Sequence, residues 1–154
     1  AASGVCKRQC VCAVCCGMGG PLMVKILQNS YEVWQSLHFA VLQPQSEAGI
    51  LRRYLYQHGW HIEDERLVID DGRFYEMMRA VPGQADALPD WLYDIGPVNW
   101  QRRDPLLGRK IDILMETKGH ILEGLRKSRK DVHERIEKIE SELRFWRELK
   151  CQLP

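Results

Sequence analysis

Four groups of residues carry side chains or spacings that could do chemistry. Gly17-Met18-Gly19-Gly20 closes a short apolar run, Val11 to Cys16, and is followed by Pro21. Three glycines in four residues let a backbone approach a ligand without Cβ atoms in the way, and Met18 offers soft apolar contact. The plainer reading of the same tetrapeptide is a tight turn that helix–strand packing requires. Gln43-Pro44 ends a second apolar run, His38 to Leu42. The Gln43 carboxamide could meet a base edge, or the pair could simply close a strand. Asp64, Glu65, Asp70 and Asp71 crowd one segment. Paired carboxylates can exchange protons, but beside the Asp71-Gly72 turn signal they read as solvated turn charge. Arg126, Lys127, Arg129 and Lys130 form a basic cluster, with Arg102, Arg103, Arg109 and Lys110 upstream. Phosphate contact by such a cluster is salt-dependent and sequence-independent. Glu134, Glu137, Glu140 and Glu142 lie close by, so a solvated helical face laced with ion pairs is the competing reading.

The cysteines are a fifth candidate group. Five of the six, Cys6, Cys10, Cys12, Cys15 and Cys16, precede the glycines, and Cys151 lies near the other end. Cys12 and Cys15 make a CxxC pair, but no second pair follows, as a zinc site would need. Alternation along a strand would also scatter these thiols over two faces. They are expected to be small apolar side chains of a buried strand, and no metal is expected. His58 and His61 are expected at the surface.

These groups must be positioned by elements with recognisable periods. Val11 to Cys16 reads as a central parallel strand entering a glycine turn, with Pro21 in the first turn of a helix. Leu22, Met23, Ile26 and Leu27 give that helix its apolar face. His38 to Leu42 is a second strand, closed by Pro44 because proline cannot continue a central ladder. Ser46 is the expected N-cap of a helix running to about His58, with Gly59 as its C-cap. Trp60 to Ile69 and Phe74 to Val81 form a hairpin about Asp71-Gly72 at the edge of these units. Phe74 is expected in the core and Tyr75 at the border of a site. Turn formers fill Pro82 to Pro89, and Asp94-Ile95-Gly96-Pro97 makes another break. Leu107, Ile111, Leu114, Ile121 and Leu125, then Val132, Ile136, Ile139, Leu143 and Trp146, follow helical spacing. They predict two helices joined near Ser128 to Asp131 and folded back as an antiparallel coiled-coil hairpin. The order strand–helix–strand–helix–hairpin, then helices, is that of an α/β protein with parallel strands and a terminal antiparallel hairpin.

Composition narrows the partners. A charged fraction of 28% balanced to a net charge of +1 means that nucleic-acid binding must come from local clustering rather than bulk charge. No apolar run approaches the roughly 18 residues of a membrane span, and Ala1 to Arg8 lacks the apolar core of a signal peptide. A cytosolic, membrane-free protein is expected.

With these motifs in order, the chain resembles the bacterial tRNA (adenine-22-N1)-methyltransferases, S-adenosylmethionine (SAM)-dependent proteins with a Rossmann-like class I domain and a C-terminal coiled coil. The resemblance rests on Gly17-Met18-Gly19-Gly20 and the Ile26-Leu27 helix end, and on Val41-Leu42-Gln43-Pro44. It rests also on Leu51-Arg52 through Leu55 to Gly59-Trp60, Ile62 and Asp64-Glu65, on Asp71-Gly72-Arg73-Phe74-Tyr75-Glu76, and on Ile95-Gly96-Pro97. It covers roughly residues 11 to 150. It implies a partial methyltransferase domain over 1–92 and a helical coiled-coil domain over 93–154. SAM would lie against Gly17, Met18, Gly19 and Gly20. tRNA would lie against Gln43, Pro44, Tyr75, Arg126, Lys127, Arg129 and Lys130. Family members also carry an earlier strand with an acidic, glycine-containing Asp-His motif that holds SAM and supplies the catalytic aspartate. Nothing in this chain matches it, so no catalytic residue is assigned. The 154 residues are expected to be a C-terminal portion, inactive or weak alone. The alternative expectation is a non-catalytic module that binds tRNA or protein through the coiled coil, by which chains could also self-associate.

Overall fold

The computed structural model describes residues 12–128 and 131–153. Cys6 and Cys10 lie outside the described residues, as do Arg129 and Lys130. The chain divides into two compact units, Ala1–Arg102 and Arg103–Pro154.

The first unit is α/β, with one mixed sheet. Its elements are β1 (Cys12–Gly19), α1 (Gly20–Asn29), α2 (Tyr31–Gln35), β2 (Phe39–Ser46), α3 (Ala48–Gln57), β3 (Trp60–Asp70) and β4 (Arg73–Pro82), then α4 (Asp90–Ile95) and α5 (Pro97–Gln101). The sheet order is β1-β2-β4-β3. β1 and β2 are parallel, while β4 runs antiparallel to both β2 and β3. The hairpin turns through Asp71 and Gly72, both at positive φ (46° and 71°), which is the backbone that a two-residue turn matched to strand twist demands. The hairpin folds back so that its second strand, not its first, docks on β2.

One face of the sheet carries the core. Alternation places Ala40 and Leu42 of β2, Met78 and Ala80 of β4, and Trp60 and Ile62 of β3 on that face, where Met23 and Leu27 of α1 and Leu51 and Leu55 of α3 cover them. Trp34 of α2 completes this core, its ring centroid 4.2 Å from that of Trp60. α2 has no counterpart in the sequence reading; its five residues are too few for a periodic signal.

Several expectations are corrected. β1 is an edge strand among the described residues, and Cys12 and Cys16 are exposed rather than buried. They alternate with Ala13 and Cys15, which pack against the core. Burial pushes the Cys15 thiol pKa up, and the neighbouring Cys16 adds to this. β2 continues through Pro44 to Ser46. Its pairing with β4 ends at Leu42, so no ladder runs on that side for the missing N–H of Pro44 to interrupt. The N-cap of α3 is therefore Glu47, not Ser46, and Glu47 sits in the left-handed region at φ 51°. Phe74 is half-buried, because it pairs with Ile69 next to the exposed hairpin turn.

The second unit contains α6 (Leu107–Arg126) and α7 (His133–Cys151). Leu122, Ile139 and Leu143 form its buried cluster, with Met115, Leu125 and Ile136 packed around them. Ile121, expected on the apolar seam, is exposed, and Met115 and Leu122 take the seam instead. The helices run antiparallel. Asp112 near the start of α6 pairs with Lys150 near the end of α7, and Arg126 at the end of α6 pairs with Glu140. No helix is long and apolar enough to cross a membrane among the described residues.

Candidate functional site

The parallel strands β1 and β2 end side by side, and open α/β sheets bind ligands outside such carboxyl ends. Cys16 is level with Gln43, Met18 with Pro44 and Gly19 with Ser46, with irregular steps on either side of Met18. Gly17 makes the first step at φ 77°, a backbone conformation that L side chains adopt only with strain. Its N–H donates to Gln43 Oε1 at 3.0 Å. The Gln43 carboxamide therefore clasps the glycine loop.

The four residues of that loop divide by environment. Gly17 is exposed. Met18 is half-buried and packs against the sheet core. A Cβ on Gly19 would lie 3.0 Å from Ser46 Oγ, and one on Gly20 would lie 2.3 Å from the Glu47 carbonyl oxygen. Gly19 at the end of β1 and Gly20 at the start of α1 thus pass directly over the turn after β2. Gly17 is left facing outward. Pro44, level with Met18, is buried. Tyr75 is half-buried and lies three residues beyond the last β2–β4 pair, Leu42 with Met78, on the side of the β2 carboxyl end. By alternation it shares with Gln43, Val41 and Arg79 the sheet face opposite the core. In the second unit Arg126 is exposed and ion-paired with Glu140 at 2.6 Å, and Lys127 is exposed.

The residues that sequence reasoning missed form a buried ionic network. Arg52, within the apolar face of α3, is fully buried, and so is Glu65 of β3. Arg52 Nε donates to Glu65 Oε1 at 2.5 Å, Nη2 to Glu76 Oε2 at 2.9 Å and Nη1 to the Tyr93 carbonyl at 2.9 Å. The other Glu65 oxygen accepts from the N–H groups of Val98 and Asn99 at 3.0 and 3.2 Å. Burial by itself would lower the Arg52 pKa, but the carboxylates of Glu65 and Glu76 more than reverse that and hold it raised. Gly96 sits over this network at φ 99°, and a Cβ there would come within 2.7 Å of Glu65 Oε2. Glu65 is thus structural, not solvated turn charge. The available signal was a charge at a position that the apolar period assigns to the core, at Arg52 beside Leu51 and Leu55. Asp64 turns the other way and pairs with Arg102 and Arg66. Slight burial acts to raise its pKa, but the Arg102 guanidinium outweighs it and the carboxyl is held below its ordinary value. Asp70 and Asp71 are exposed. His58 is exposed and stacked on Tyr54, and His61 is half-buried with Nδ1 at 3.3 Å from the Gly83 carbonyl.

The glycine loop, the Gln-Pro strand end and this network lie within one matched stretch. The model of the TrmK family, tRNA (adenine(22)-N(1))-methyltransferase, matches residues 6–148. The chain belongs to this family. A curated relative, the tRNA (adenine(22)-N(1))-methyltransferase of Bacillus subtilis strain 168, is 34% identical over 74 residues, covering 48% of this chain and 31% of that protein. The crystal structure of the B. subtilis m1A22 tRNA methyltransferase aligns with a TM-score of 0.74 at 20% identity, over 91% of this chain and 63% of that one. Streptococcus pneumoniae Sp1610, solved in complex with S-adenosyl-L-methionine, aligns with a TM-score of 0.68 at 27% identity, over 88% of this chain and 61% of that one. The chain thus spans about a third of the TrmK relative's length and about six-tenths of each of these solved structures.

Proposed function

We propose that this TrmK-family chain serves SAM-dependent methylation of adenine N1 in tRNA. The observation that carries the reading is the Gly17–Gln43 clasp at the carboxyl ends of two parallel strands. The exposed, Cβ-free backbone of Gly17 and the half-buried edge of Met18 fit a flat adenosyl or methionyl group. SAM, when bound, supplies an electrophilic methyl on a sulfonium. The chain's own part is to keep that methyl in line with the ring nitrogen and to hold the base flat and out of its stack. Gln43 fixes the loop, and Tyr75 borders the same strand ends on the face that Gln43 shares. The basic residues Arg126, Lys127, Arg129 and Lys130 fall in sequence at the junction of α6 and α7, a helix pair that we read as an antiparallel coiled coil whose charge meets tRNA backbone. The two units, Ala1–Arg102 and Arg103–Pro154, then divide the labour between base and backbone. The 154 residues alone hold SAM weakly and turn over slowly.

The test uses protein in stoichiometric amount over tRNA transcripts, so that slow turnover still registers. Methyl incorporation at the target adenine is expected. No incorporation, or incorporation that survives replacing that adenine, overturns the reading. A second reading is favoured by the separate buried cluster of α6 and α7. In it the helical pair is a non-catalytic module that binds tRNA or protein. tRNA binding with no methyl transfer at any enzyme concentration would select it.

A further inference from the structure

Two residues are left over in the ladder between β1 and β2. Cys16 is level with Gln43 and Met18 with Pro44, so Gly17 of β1 has no opposite number. Gly19 is next level with Ser46, so Gln45 of β2 has none either. An extra residue bends its strand and re-aims a side chain, and such irregularities gather beside active sites. The two extra residues lie together: Gln45 Nε2 is 3.7 Å from where a Cβ on Gly17 would stand.

The two glutamines of β2 have different duties. The Gln43 oxygen accepts from the Gly17 N–H, and its nitrogen donates to the Pro44 carbonyl at 3.5 Å. Gln45 is exposed, and among the described residues its carboxamide makes no hydrogen bond. Counted from the last β2–β4 pair, Leu42 with Met78, Gln45 and Tyr75 each lie three residues on, toward the same end of the sheet. An uncommitted donor and acceptor thus stand at the carboxyl end of β2, beside the glycine loop.

We infer that Gln45 reads the target adenine by its N6–N7 edge and so sets base specificity. The inference rests on the adenine-N1 methylation reading above. N1 lies on the pairing edge of the base and has to face the sulfonium methyl. Recognition is then left to the edge where N7 accepts and the N6 amino group donates. A carboxamide matches that pair, with Nε2 donating to N7 and Oε1 accepting from N6–H. Guanine offers two acceptors on the same edge and would set its O6 against the Gln45 oxygen. Gln43 remains a positioning residue, because its own oxygen is spent on Gly17.

The whole chain, in stoichiometric amount, is given two tRNA transcripts. One carries adenosine at the target, and the other carries 7-deazaadenosine, which keeps N1 and N6 but lacks the N7 acceptor. The wild type should methylate the adenosine transcript about fivefold faster, the effect of one hydrogen bond. Gln45→Ala should be slower on adenosine and should lose that preference. Gln45→Glu should reverse it, because a carboxylate still accepts from N6–H but repels the N7 lone pair. Gln45 is exposed, so both variants should melt as the wild type does in circular dichroism. No preference in the wild type, or one that both variants retain, overturns the base contact and leaves the methylation reading standing. Variants that melt normally yet lose transfer to both transcripts also overturn it, since one edge contact does not abolish a reaction. A raised half-saturating SAM concentration with the preference unchanged assigns Gln45 to the cofactor instead. No transfer by the wild type to either transcript overturns the inference together with the reading beneath it.

Discussion

At the residue scale, the decisive side chains are charges in places where water is absent. Arg52 is enclosed by Glu65, Glu76 and the Tyr93 carbonyl, so each of its donor groups has an acceptor. Removing one member leaves the rest buried and uncompensated, which costs more than the pair itself contributes. Arg52→Met should therefore lower unfolding stability by about 3–5 kcal/mol in urea titration. Glu65→Gln keeps an acceptor for the Val98 and Asn99 amides and should cost less than Arg52→Met. Asp64 behaves differently because it is partly exposed. Its carboxyl is held below its ordinary pKa by Arg102 and Arg66, so its contribution to stability is present at pH above the unfolded value of about 4. That contribution fades as pH falls through the lowered folded value. Asp64→Asn should flatten the acid limb of a stability–pH profile below about pH 4 and change little near neutrality; an unchanged acid limb would remove Asp64 as its source.

At the scale of elements, the junction of β1 with α1 and the turn after β2 constrain each other. Gly20 is required because the Glu47 carbonyl occupies the place of a Cβ, whereas Gly17 is required by its own positive φ. These two causes predict different costs. Gly17→Ala pays only local strain, about 1–2 kcal/mol, and keeps the sheet. Gly20→Ala must displace backbone of the β2–α3 turn and should lower the thermal midpoint further than Gly17→Ala does. A midpoint for Gly20→Ala equal to wild type would mean that the crossing is looser than the 2.3 Å approach implies. The glycine tetrapeptide and Asp71-Gly72 were legible because positive φ and close backbone approach favour one residue type. Glu47 at φ 51° was not legible, since nothing in its side chain announces that conformation.

At the scale of the whole molecule, a net charge of +1 gives no general attraction to RNA. Association must depend on local clusters of cations. The ligand end of the sheet offers one glycine loop and one strand end, and β1 has an unpaired outer edge among the described residues. A site open on that side should hold SAM with an affinity weaker than micromolar in calorimetry of the 154-residue chain. Submicromolar binding would show that the loop and the Gln43 clasp suffice by themselves.

Periodicity, turn chemistry and spacing determined by themselves that β1 leads through glycines into a helix, that Asp71-Gly72 makes a hairpin, and that two helices follow Pro105. Those signals are local, carried by residues within a few positions of each other. Strand neighbours were not local. That β4 lies between β2 and β3 follows from which apolar faces bury together. The same holds for Arg52 with Glu65 and Glu76, separated by 13 and 24 positions, which no local period links. Tertiary structure decided these points because the energy of a charge depends on what surrounds it in space, and sequence distance does not record that.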